Sequence, residues 1–123
     1  MTEQIDHKVE IKEAQLPIHR LDAYRVAKEF LQAVVACEIR DSRLRDQAVR
    51  AAQSCCLNIA EAAGRWGKAD RARVIHIARG GCCEAGAAVE IAAISGSCAA
   101  APAERAGKLS ARVYVILGGL IRR

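Results

Sequence analysis

Aromatic residues are scarce in this chain of 123 residues, which contains one Trp, two Tyr and one Phe. It has only two prolines, and it lacks runs of β-branched and aromatic residues that alternate with polar ones. Half-buried strands show that alternation, so the composition favours helices over strands. The length is sufficient for one hydrophobic core and too short for two ordinary ones. We therefore predict a single all-α domain.

Long apolar runs are absent as well. No stretch reaches the roughly 18 apolar residues that a membrane-spanning helix requires. The polar start of the chain, which includes Glu3, Asp6, Lys8 and Glu10, does not have the pattern of a signal peptide. These absences predict a cytoplasmic protein with no membrane partner, in which the six cysteines stay reduced.

The cysteines include two adjacent pairs, Cys55–Cys56 and Cys82–Cys83. Neighbours on a helix point about 100° apart, and neither pair has the C-x-x-C spacing that closes on one metal ion. We expect the cysteines to act as small buried apolar residues and the protein to hold no metal or other cofactor. A four-thiolate site shared between two helices is the alternative.

Apolar residues at helical spacing predict four helices in residues 19–123, after a tail of residues 1–18 that mixes charges without a clean period. Asp41 or Ser42 can cap the second helix, Gly64 can end it, and Pro102 suits the first turn of the fourth. Short links indicate antiparallel neighbours, so the simplest architecture is an antiparallel up-and-down four-helix bundle. The predicted helices run over about 20–39, 42–63, 68–94 and 102–122.

The second predicted helix carries a narrow polar stripe beside an apolar arc that runs from Leu44 to Trp66. Within the stripe, Asn58 and Glu61 lie one turn apart among small apolar residues. These polar groups have no neighbouring histidine or nucleophile in the pattern, which disfavours catalysis and favours a structural hydrogen-bond network. We expect no enzymatic activity.

This network is expected to fix the register of the helices. In a hairpin of the second and third helices, Arg50 lies level with Glu84, and Glu61 lies level with Arg71 and Arg73. Partly buried charges persist when they are paired. We therefore predict that Asn58 and Glu61 bond across helices, with Glu61 near Arg65, Arg71 or Arg73. The predicted network contains Arg50, Ser54, Asn58, Glu61, Arg65, Arg73 and Glu84.

The net charge of +5 is spread unevenly along the chain. Residues 1–20 carry three basic and four acidic side chains, whereas residues 40–79 carry nine basic and four acidic ones. Concentrated positive charge attracts nucleic-acid phosphates, while the scarcity of aromatics argues against sequence-specific binding of single-stranded RNA. The alternative is that the arginines only solvate helix surfaces. The predicted basic surface consists of Arg43, Arg45, Lys68, Arg71 and Arg79.

Two stretches carry a family resemblance. RAAQSCCLNIAEAAGR at residues 50–65 is similar to the pattern R-A-x-x-S-[IV]-x-x-N-I-A-E-G-x-G-R, and IARGGCCE at residues 77–84 is similar to A-x-G-S-x-x-E. On these motifs the chain resembles the four-helix bundle proteins encoded within 23S rRNA intervening sequences, a family similar to the accessory proteins of diversity-generating retroelements. Ala62 and Gly81 depart from the glycine and serine usual in the family.

The resemblance implies a bundle that assembles into a ring-shaped homopentamer, with no enzymatic activity and with a role in nucleic-acid binding. Two hypotheses follow. The chain is a homo-oligomeric, non-catalytic module that binds structured RNA or a retroelement-like nucleoprotein. Alternatively, it is a protein-interaction scaffold that binds another protein through the ring surface or residues 1–18. Binding that weakens steeply with salt favours the first hypothesis.

Overall fold

Four helices and no strands make up residues 21–122, the part of the chain that the computed structural model describes. The helices are α1 (Asp22–Ala36), α2 (Ser42–Ala63), α3 (Lys68–Ile94) and α4 (Ala100–Arg122). This confirms the predicted all-α class. The predicted tail, residues 1–18, lies outside the described residues. No described helix is long and apolar enough to cross a membrane, and the cytoplasmic location stays a prediction.

Local sequence explains where the helices begin and end. Asp41 caps α2, because its side chain accepts a hydrogen bond from the Leu44 N–H at 2.9 Å. α2 and α3 run over the residues that the pattern predicts, whereas α1 is shorter than predicted. It stops before Glu38, whose φ of 47° is left-handed and cannot continue a helix. α4 begins at Ala100, which leaves Pro102 in the first turn, where a missing N–H costs no helical bond.

The core of the described chain is built mainly from small apolar side chains, among which Phe30 is the largest. Phe30, Ile59 and Leu117 are fully buried, and no polar or charged residue in the described part is buried. α2 packs against α3, α3 against α4, α4 against α1, and α1 against α2, so the four helices surround one core.

α2 and α3 approach each other closely at Gly81. A Cβ atom built on Gly81 would lie 3.1 Å from the carbonyl oxygen of Ala51 and 3.4 Å from the amide nitrogen of Cys55. Real Cβ atoms seldom lie that close to backbone, so the serine usual in the resembling family would have to push α2 away. Gly81 therefore permits the close contact between the two backbones.

The two ends of the molecule differ in what they contain. At one end the α1–α2 and α3–α4 links are tied together, since the Arg40 N–H donates to the Ser97 carbonyl oxygen at 2.9 Å and the Asp41 N–H donates to Ser97 Oγ at 2.7 Å. At the other end, the start of α1, the α2–α3 link and the end of α4 line one cavity. We call this second end the α2–α3 end.

Candidate nucleic-acid interface

Positive charge is concentrated in one half of the described molecule. Dividing each helix at its middle separates an α2–α3 half (residues 21–28, 53–80 and 112–122) from an opposite half (residues 29–52 and 81–111). The α2–α3 half carries nine basic and three acidic side chains, a net charge of +6. The opposite half carries six basic and seven acidic side chains, a net charge of −1. The positive charge of the described chain is therefore concentrated in the α2–α3 half.

The structure divides the predicted basic surface between these halves. Lys68 and Arg71 are exposed in the α2–α3 half, whereas Arg43 and Arg45 are exposed at the start of α2 in the opposite half. The 22 residues of α2 separate the two groups by about 30 Å. The predicted residues therefore do not form one continuous surface.

Arg79, the fifth predicted basic residue, is half-buried rather than exposed. Its guanidinium carbon lies 3.6 Å from the centroid of the Tyr114 ring on α4. This cation–π contact places Arg79 between α3 and α4. Arg79 is not fully exposed because α3 is rotated so that position 79 faces α4 and not solvent.

Two of the exposed arginines also stabilise the links. Arg71 Nη1 donates to the carbonyl oxygen of Trp66 at 2.6 Å, and Arg45 Nη1 donates to that of Ile39 at 3.2 Å. Trp66 was predicted in the apolar arc of the second helix but is 97% exposed. α2 ends at Ala63, so Trp66 does not continue the buried face of that helix.

The predicted polar network is local within one chain. Asn58 Nδ2 donates to the carbonyl oxygen of Ser54 at 2.8 Å and to its Oγ at 3.1 Å, one turn earlier in α2. Glu61 accepts a hydrogen bond from Arg65 at 2.5 Å, one turn later. The prediction that Glu61 lies near Arg65, Arg71 or Arg73 is confirmed for Arg65, which follows the end of α2. The prediction of bonds across helices is wrong for both residues, because each finds a partner one turn away in the chain.

Arg50 and Glu84 do not join the network in the described part of the chain. Both residues are exposed, and neither forms an ion pair with a residue in the range 21–122. The two residues were predicted to lie at the same height on neighbouring helices. They do not contact each other, because both side chains face outward.

Asp70 joins the network across the α2–α3 link, although the sequence pattern did not assign it there. Its carboxylate accepts hydrogen bonds from Arg65 at 2.9 Å and from Arg73 at 3.1 Å. The bonds from Arg73 and then from Arg65 hold the pKa of Asp70 below its usual range. Only the conformation of the link between Gly64 and Gly67 brings Asp70 to Arg65, so spacing alone could not reveal the pair.

We expect Asp70→Asn to lower the thermal unfolding midpoint at pH 7 more than Glu61→Gln does, because Asp70 accepts bonds from two arginines and Glu61 from one. The lowered pKa means that the stabilisation by Asp70 is present above the ordinary carboxyl pKa and is lost as the pH falls through its folded value. Circular dichroism should therefore show the wild type and Asp70→Asn converging in acid. Equal midpoints for the two variants at pH 7 would contradict this assignment.

A cavity of about 350 Å³ opens at the α2–α3 end. Most of its lining is apolar and comes from the start of α1, the end of α2, the first turns of α3 and the end of α4. Three cations, Arg65, Lys68 and Arg71, also line it. The packing of α4 therefore adds apolar surface to the charged α2–α3 link.

The thiols pack as core residues. All six cysteines are free, and five are buried as predicted, whereas Cys83 is exposed because it lies on the outward side of α3. A hydrogen bond with Cys82, together with burial, raises the pKa of Cys55, and burial raises the pKa of Cys37 to about 11. Among residues 21–122, no three side chains of metal-binding type converge.

A comparison with known protein families gives a match over most of the chain. The family model described as 23S rRNA-intervening sequence protein matches residues 19–119. This range includes α1, α2, α3 and most of α4. No curated protein matches the chain. With its four helices and a match over most of its length, the chain belongs to the family of 23S rRNA-intervening sequence proteins.

Proposed function

We propose that this chain is a non-catalytic, homo-oligomeric, antiparallel four-helix bundle that binds structured RNA or a retroelement-like nucleoprotein through its α2–α3 half. The separation of charge carries this proposal, since the α2–α3 half has a net charge of +6 and the opposite half a net charge of −1. Contacts to phosphate supply most of the affinity of sequence-independent binding. The scarcity of aromatic residues fits contacts to phosphates and not to stacked bases.

Contacts between the helices support the antiparallel arrangement. Arg65, just after α2, pairs with Asp70 in the first turn of α3. The middle of α3 approaches the middle of α2 through Gly81 and Ala51. The end of α2 therefore lies beside the start of α3, and the middles of the two helices also lie side by side. Two helices that run in opposite directions have this pattern of contacts.

Exposed apolar side chains support self-association. Three isoleucines of α3 are 49%, 50% and 78% exposed, at positions 77, 91 and 94. They belong to a stripe of outward positions whose spacings alternate between three and four residues, as in the seam of a coiled coil. A second copy of the chain that covers the stripe would remove it from water. The stripe consists of Ile77, Gly80, Glu84, Ala87, Ile91 and Ile94.

The experiment that tests the proposal is a salt titration of duplex RNA and duplex DNA binding, combined with light scattering to measure the mass of the assembly. We expect a mass greater than one chain and an affinity for duplex DNA that falls with salt at a slope of about −0.9 per neutralised phosphate. Binding to neither duplex at low salt would contradict the nucleic-acid role, and a monomeric mass would contradict the oligomeric one.

A protein-interaction scaffold is the second candidate function. Trp66 on the α2–α3 link is 97% exposed and Leu57 on α2 is 69% exposed, and exposed large apolar side chains are common at protein interfaces. Absence of salt-sensitive nucleic-acid binding, together with a partner protein recovered in a defined ratio with the native assembly, would favour this function.

A further inference from the structure

We propose that Arg79 of α3 and Arg122 of α4 form a two-arginine phosphate-binding site over Gly118, an inference that rests on the proposed nucleic-acid function and names one place where a phosphate is held. Both arginines lie in the positively charged α2–α3 half. The class of ligand is a phosphate group, either free or in a nucleic-acid backbone.

The geometry of α4 brings the two guanidinium groups together. Tyr114, Gly118 and Arg122 follow each other at intervals of four residues, so they share one face of the helix. Arg79 lies across this face, with its guanidinium carbon 3.6 Å from the Tyr114 ring centroid. Its Nη2 atom lies 2.9 Å from the point that a Cβ atom on Gly118 would occupy, and Arg122 Nη1 lies 3.6 Å from the same point.

The charges of this pair are not balanced within the described chain. Neither Arg79 nor Arg122 forms an ion pair with a residue in the range 21–122. Two neighbouring cations repel each other, and an anion that contacts both removes the repulsion. The planar fork of donors on a guanidinium matches the oxygens of a phosphate, which it binds in bidentate fashion.

Hydrogen bonds among residues 21–122 do not explain the position of Arg79. Its Nε atom is buried and has no acceptor in the described part of the chain. Such an unmade bond is unfavourable. The negative end of the α4 dipole accounts for a cation in the last turn, where Arg122 lies. Arg79 lies about one turn further from that end. The Tyr114 ring holds its guanidinium in place but supplies no counterion, which an anionic ligand would provide.

Thermal unfolding in inorganic phosphate and in chloride, at matched ionic strength, tests the site. A ligand that binds the folded state raises the unfolding midpoint, so we expect phosphate to raise the midpoint of the wild type above its value in chloride. Arg122→Gln should lose this rise. Gly118→Ala should lose it as well, although it keeps every charge, because its Cβ atom would take the space beside Arg79 Nη2.

Arg112→Gln is the matched control, because Arg112 is exposed on another face of α4 and the substitution removes the same charge. It should keep the rise in midpoint. Each midpoint is compared with that of the same variant in chloride, so a change in basal stability does not affect the result. If phosphate gives no rise in the wild type, or the same rise in Arg122→Gln and Gly118→Ala, the site does not exist.

Binding to duplex RNA separates this proposal from the proposed function. We expect Arg122→Gln to weaken duplex binding several-fold more than Arg105→Gln, which removes an exposed charge of α4 in the opposite half. Equal weakening would leave the nucleic-acid function standing and overturn the two-arginine site as a contact to the backbone. A phosphate response that depends on Arg122, in a wild type that binds no duplex, would show a site for free phosphate and overturn the nucleic-acid function instead.

Discussion

Reversal of two charges on the α2–α3 half, Lys68→Glu with Arg112→Glu, is expected to weaken duplex binding at low salt on the order of 10- to 100-fold. Both side chains are exposed, and neither forms an ion pair within the described chain, so the substitutions remove no such contact. If each residue contacts one phosphate, the salt slope for duplex DNA should become shallower by about 0.9 per residue. Fluorescence anisotropy over a range of salt concentrations measures both quantities.

The matched control is Arg43→Glu with Arg105→Glu in the opposite half. Both of these residues are also exposed, and the change in net charge is the same. We expect this variant to keep the salt slope of the wild type and most of its affinity. Equal losses in the two variants would show that total charge matters and that its position does not. Arg79 is left unchanged in both variants, because a glutamate at that position would lose the contact with Tyr114.

Gly81→Val is expected to lower the free energy of unfolding on the order of 1–3 kcal/mol, because overpacking a close contact forces backbone shifts. The added Cβ atom alone would lie 3.1 Å from the carbonyl oxygen of Ala51, and the two methyl groups need further space. That carbonyl belongs to the backbone of α2 and cannot rotate away as a side chain can. Urea unfolding followed by circular dichroism measures the change.

Gly107→Val is the control for this substitution. Gly107 is also inside a helix, but no atom lies within 4 Å of a Cβ atom built on it. Gly107→Val therefore changes helix propensity as Gly81→Val does, but without overpacking. Valine has a higher helix propensity than glycine. We expect Gly107→Val to be at least as stable as the wild type. A Gly81→Val variant of equal stability would mean that α2 and α3 do not depend on a close contact there.

α2 shows how much of the fold local sequence determines. The cap at Asp41 and the glycine at 64 define its bounds, and helical spacing identifies Ala48 and Ile59 as buried. The same spacing gave the wrong environment for Trp66, because periodicity applies only while the helix continues. Trp66 lies beyond the end of α2, and its exposure depends on the conformation of the link.

The positively charged surface of the α2–α3 half could be predicted less well from the sequence, because it depends on which helices become neighbours. The positive charge of residues 40–79 was evident from composition, yet Arg43 lies at the far end of α2 from the link. Arg112 and Arg122 instead contribute charge to the α2–α3 half, and the packing of α4 against α3 places them there. The contact between Arg79 and Tyr114 depends on the rotation of both helices, which single-chain spacing does not define.

The unequal charge of the two halves bears on the kinetics of association. With +6 on one half and −1 on the other, counted over residues 21–122, the protein should turn in the field of a polyanion before the two surfaces touch. More encounters then begin with the α2–α3 half foremost, which reduces the orientational search that limits ordinary association rates. The association rate constant should consequently fall steeply as salt rises, while the dissociation rate constant reports the contacts made after docking.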